Sequence, residues 1–141
     1  MYKRIPLLSA LPVIAICIGL SSCAKKETPD TPSSRLVGTW KKVQFATDDN
    51  NNGTIDKWEI FGVQPNITNT IEFNKDNTGV EKTTFSPDLG FRWQIVGDLS
   101  VRISYDANDT VTYNIASVNS SSLNLTTRTT FSLVGYYYDK K

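Results

Sequence analysis

The chain has 141 residues, with 15 basic and 14 acidic side chains, a formal charge of +1, two cysteines and no histidine. Near-neutral charge argues against nucleic acid as a partner, because neutralising phosphates takes a basic surface. The missing imidazole removes Ser-His and Cys-His nucleophiles and histidine metal ligands, and no acidic pair stands in an apolar context, so the chain reads as a non-enzyme.

The chain opens with Lys3 and Arg4, followed by an apolar run from Ile5 to Leu20 broken only by Ser9, two prolines and Gly19. A basic head, an apolar centre and small residues before a cut site describe a secretory signal over residues 1–22. The run is short for a membrane span, which needs about 20 apolar residues. Leu20-Ser21-Ser22-Cys23 resembles the lipobox of bacterial lipoproteins. The resemblance implies that Cys23 takes a diacylglycerol, becomes the mature N-terminus and makes the membrane a partner through a lipid anchor. Ala24 is not the aspartate that retains some lipoproteins at the inner membrane, which points to the outer membrane.

Cleavage there discards Cys17, so the mature chain has no thiol pair and must hold by packing alone. It also discards Lys3 and Arg4, leaving 13 basic against 14 acidic side chains. Cys23 and residues 24–34, with two prolines and almost nothing to bury, read as a tether spanning about 20 Å as a coil.

From Leu36 the apolar period is two nearly throughout, which predicts one all-β domain over residues 35–141. Leu36 and Trp40 share one parity while Val43 and Phe45 share the other, so a β-bulge is expected near Lys41-Lys42. Ile71 and Phe73 alternate with Thr70 and Glu72 before a turn at 75–79. Phe91, Trp93 and Ile95 face one way, and Gly97-Asp98 signals a two-residue turn. Leu99, Val101, Ile103 and Tyr105 continue the pattern, followed by Val111, Tyr113 and Ile115, then Leu123 and Leu125. Phe131 is expected inside. The reading is seven to eight short antiparallel strands, and sequential hairpins favour an up-and-down barrel.

Leu36-Val37-Gly38-Thr39-Trp40 opens the first strand. With the lipobox, the tether and the segment from Thr70 to Gly79, it looks like the lipocalin-like domain of Bacteroidota-type lipoproteins. The resemblance implies that Trp40 closes the narrow end of a barrel and that Gly38 permits close approach to its ring. Lipocalins often set an arginine over this tryptophan; Arg128 is the nearest candidate, and alternation from Leu123 and Leu125 turns it outward. An eight-stranded barrel is just wide enough to be filled by side chains or to hold one small ligand. Phe91, Trp93 and Tyr113 are the candidate ligand-facing aromatics.

Between the first two strands, residues 48–59 match the twelve-residue calcium loop. Asp48, Asn50 and Asn52 take positions one, three and five. Gly53 sits at the sharp turn, Thr54 offers its carbonyl, Asp56 is ninth and Glu59 twelfth. The alternative is an Asn/Asp/Gly turn that binds nothing. Calcium is thus a candidate cofactor, with an affinity of roughly 10⁻⁴–10⁻³ M.

Two functions follow. One is an envelope-anchored barrel holding a small apolar or amphipathic molecule. The other is a solid barrel that docks an envelope partner through its loops, with Tyr136, Tyr138, Trp58 and Phe61 as candidate surface residues.

Overall fold

A computed structural model of the chain describes residues 30–106 and 108–141. The signal segment, Cys23 and most of the tether lie outside the described residues.

A short helix, α1 (Pro32–Leu36), precedes nine strands. These are β1 (Gly38–Thr47), β2 (Ile60–Gly62), β3 (Asn69–Phe73), β4 (Thr78–Thr83), β5 (Ser86–Val96), β6 (Ser100–Ser104), β7 (Thr110–Val118), β8 (Ser122–Arg128) and β9 (Leu133–Lys140). From β3 to β9 each strand pairs antiparallel with the next, and β9 returns to β1, closing an eight-stranded up-and-down barrel. The extra strand shares an edge of β1 with β3. Gly38 to Lys41 pair with β3, and Gln44 to Ala46 pair with β2.

The helix takes its first three residues from sequence expected to be tether. Thr31 caps it, its hydroxyl accepting from the Ser34 amide at 3.2 Å, and Pro32 supplies a preset φ in the first turn. Its role is to stopper the barrel. Leu36 is wholly buried, α1 reaches across to β5 and β7, and the Trp40 indole donates to the Leu36 carbonyl at 2.7 Å.

The bulge in β1 falls between Lys42 and Gln44, one residue beyond the expected place. With Val43 as the extra residue, Trp40, Lys42 and Phe45 all share the inner face. Two inward assignments are corrected. Leu99 lies in the β5–β6 turn, which has three residues rather than two because Val96 pairs with Ser100, and it is 70% exposed. Phe131 lies in the β8–β9 turn and is 86% exposed, because Arg128 already pairs with Leu133 and the chain has left the wall. Tyr138 moves the other way: it is buried in the core, and Tyr136 packs against that core.

Candidate functional site

The barrel interior divides into two halves. In the closed half every inward side chain is packed. Phe73 meets Phe91 and Trp93 edge-on, with centroids at 5.6 and 5.4 Å. The Trp93 indole donates to the Thr78 carbonyl at 3.0 Å, so its one polar atom is satisfied. Phe91 and Trp93 are therefore placed among core rings rather than at an open rim. Trp40, fully buried, lies beneath Lys140, whose Nζ stands 4.0 Å from the ring centroid and donates to the Val37 carbonyl at 2.7 Å. The cation over the tryptophan is thus a lysine from β9. Arg128 is exposed at the other end, beside Gly53. Gly38 has φ +132, which favours glycine, and a Cβ there would displace the end of the Lys140 side chain from its place over Trp40.

The open half is different in kind. Register and alternation turn Lys42, Asn69, Glu81, Leu89, Tyr105, Tyr113 and Tyr136 inward, where only partial burial is reached by most of them. Lys42 Nζ sits 4.6 Å from the Tyr136 centroid and 5.8 Å from that of Tyr138, a cation–π arrangement. Burial pushes the Lys42 amine below its ordinary value, and the Glu81 charge pulls it partly back. Glu81 accepts from the Tyr105 hydroxyl at 2.9 Å. Tyr113 and Tyr136 meet edge-on at 5.9 Å, and Phe91 links Tyr105 to the closed half at 5.8 Å. Burial, helped by Glu81, raises the phenols of Tyr105, Tyr113, Tyr136 and Tyr138 above the usual tyrosine range. The open half therefore holds three phenols kept neutral by the fold, Tyr105, Tyr113 and Tyr136, with Tyr138 beside them in the core.

Of the aromatics expected to face a ligand, Tyr113 alone stands in this open half. Lys42, Asn69, Glu81 and Tyr105 escaped the sequence reading as site residues. Parity was a usable signal for Glu81, two residues from Gly79 on the inner face of β4. Lys42 could be placed only by locating the bulge to the residue. Two cavities, of about 1070 and 610 Å³, lie elsewhere. The larger is at the closed end among α1, Lys75, Asn119 and Lys140; the smaller is a cleft across β4 to β6 bordered by Thr78, Gly90, Arg92 and Ser104, with Phe91 and Tyr105 also in its lining.

The loop after β1 folds back on the outside of the wall. The Asp48 amide donates to the Leu133 carbonyl at 2.9 Å, and Ile55 lies so close to Gly135 that a Cβ there would stand 2.7 Å from it. Beneath the loop Ala46 is fully buried on the outer face. The six candidate calcium ligands do gather. Their oxygens, however, are turned to donors of the chain itself. Asp48 accepts from the amides of Asn52 and Gly53 at 3.0 and 2.8 Å. Glu59, fully buried, accepts from the amides of Asp49, Asn50 and Asp56 at 2.8, 3.3 and 2.8 Å. Asn50 and Asn52 aim their side-chain NH₂ groups at Asp56, and the Asn52 oxygen accepts from Thr54. Among the described residues no group of three or more His, Cys, Asp or Glu side chains is arranged to hold a metal ion.

The chain is similar in structure to a lipocalin-like protein from Bacteroides uniformis, at 18% identity over 76% of this chain and 99% of that one, with a TM-score of 0.40. It is also similar to bovine odorant binding protein, solved in complex with a selenium-containing odorant. There the identity is 13%, the coverage 84% of this chain and 78% of that one, and the TM-score 0.46. No family model and no curated protein matches the chain.

Proposed function

We propose that this chain is a small-molecule-binding barrel that takes an amphipathic ligand into its open half and is held at the cell envelope by lipid on Cys23. The observation that carries the reading is the contrast inside the barrel. The closed half is filled by aromatic rings, while the open half keeps polar and aromatic side chains only partly covered. An apolar wall with a few fixed polar groups is how small-molecule sites combine affinity with orientation.

Native mass spectrometry of the protein from its own cells tests the first half: a retained small molecule is expected, and an empty barrel that also fails to take up a fluorescent apolar probe would refute it. For the second half, Cys23→Ser is expected to move the protein out of the membrane fraction. Unchanged membrane association would remove the anchor.

A second reading is favoured by the rim. Phe85 and Phe131 are 76% and 86% exposed on turns at the open end, the two most exposed of the large apolar side chains among the described residues. If the barrel docks an envelope partner there, Phe85→Ser with Phe131→Ser abolishes co-purification of that partner and leaves small-molecule uptake intact.

A further inference from the structure

Lys42 is placed where an ammonium is costly, inside a barrel, yet nothing in the protein uses its hydrogen-bond donors. Among the described residues Nζ has no salt bridge and no hydrogen-bond acceptor; the faces of Tyr136 and Tyr138 and the more distant Glu81 charge are what attend it. Glu81, the one lumen anion, is engaged by the Tyr105 hydroxyl on the side of β6. Asn69 stands one step beyond the last β1–β3 pair, opposite Lys42 in register, and its Oδ1 is buried without a partner. A buried amide oxygen without a partner and an ammonium held by ring faces therefore share one strand pair in a lumen walled by tyrosines. Buried polar groups are nearly always hydrogen-bonded, and the exceptions need a cause.

We infer that Lys42 is the anchoring residue for the oxyanion head group, of carboxylate type, of the ligand held in the open half. This rests on the lumen-binding reading proposed above. The ligand's apolar body lies against Tyr113, Tyr136 and Phe45, and its head accepts from Lys42 on the β1–β9 side. The Asn69 amide, rotated by half a turn, donates its NH₂ to the same group. Glu81 marks the side of the lumen from which an anion is repelled, which orients the ligand.

N-phenyl-1-naphthylamine and its 8-sulfonate share one ring skeleton and differ by a single anionic group. Both are titrated into the full chain and followed by their emission, and the sulfonate-over-neutral affinity ratio is the readout. Lys42→Met is expected to lower that ratio about tenfold, the worth of one charge-assisted hydrogen bond, while the neutral probe still binds. Lys42→Arg keeps the ratio, and Glu81→Gln raises it by removing the repelling charge. Both probes binding with a ratio that Lys42→Met leaves unmoved overturns the inference and spares the lumen reading. Neither probe binding overturns the lumen reading itself. If Lys42→Met does not fold, the wild-type chain carrying ¹³C-methylated lysines decides: the Lys42 resonance must move with the sulfonate and not with the neutral probe, and any other pattern rejects the assignment.

Discussion

The two halves of the barrel are built from the same strands and the same inward alternation, yet they are held together in opposite ways. The closed half is held from within, by Trp40, Phe73, Phe91 and Trp93 packed under α1 and Lys140. The open half is held from without, by the 48–59 loop seated on Ala46 and Gly135. A wall braced on its outer face does not need a filled interior. The lesson is that the loop and the open lumen are parts of one solution: external bracing leaves room for partly covered tyrosines, a lysine and a glutamate.

The sharpest way to break this contrast is to remove the internal support. Trp40→Ala deletes a fully buried ring and strips Lys140 and the Leu36 carbonyl of their partner. A loss of about 3–5 kcal/mol is expected, read by urea unfolding. A loss under about 1 kcal/mol would mean that the closed half is not the cohesive end.

The second test uses pH to read the open half. Tyr105, Tyr113, Tyr136 and Tyr138 are held neutral beyond the ordinary value of 10.0 while folded. Above that value the unfolded chain gives up these protons and the folded chain keeps them, so the folded state binds more protons and stability falls as pH rises. Below it, their contribution is complete and flat. Lys42 acts in the opposite sense, because burial lowers its amine from 10.5 and its deprotonation relieves a cost as pH climbs. The expected profile holds or rises gently to about pH 10 and then declines, measured by urea unfolding across that range. A profile still rising above about pH 10 would mean that the four phenols are not shielded by the fold.

How much of this was legible beforehand depends on what each feature rests on. Period-two alternation from Ile71 to Leu125 gave the strands, their inner faces and the meander, because a half-buried strand writes its pleat into the sequence. Trp40 and Gly38 were readable for the same reason, together with a resemblance. The open half was readable only in part, through Tyr105 and Tyr113. Lys42 and Glu81 are charged, so any hydrophobicity argument assigns them to water; only the register around the bulge at Val43 turns Lys42 inward. Phe131 failed in the reverse direction, since an aromatic three residues past a strand end follows the turn and not the pleat. Lys140 over Trp40 was equally hidden, because it depends on β9 closing against β1 across about 100 residues of sequence, a pairing that no local pattern encodes.

The smallest effects belong to the external brace, and they separate a self-closed loop from an ion-closed one. Glu59 accepts three backbone amides while fully buried. Glu59→Gln replaces one acceptor oxygen by an NH₂ that faces another donor, and about 1–3 kcal/mol should be lost in urea unfolding. Calcium reads the same contacts from the other side. The three amides leave about one of the four Glu59 acceptor sites open, so an ion held by both oxygens must displace an amide, and the Asn50 and Asn52 side chains must also rotate their oxygens inward. Calcium up to about 10⁻³ M should therefore leave Trp58 fluorescence unchanged. A saturable change in that range would mean that the amides yield to an ion, and the brace on the open half would then be tunable by calcium.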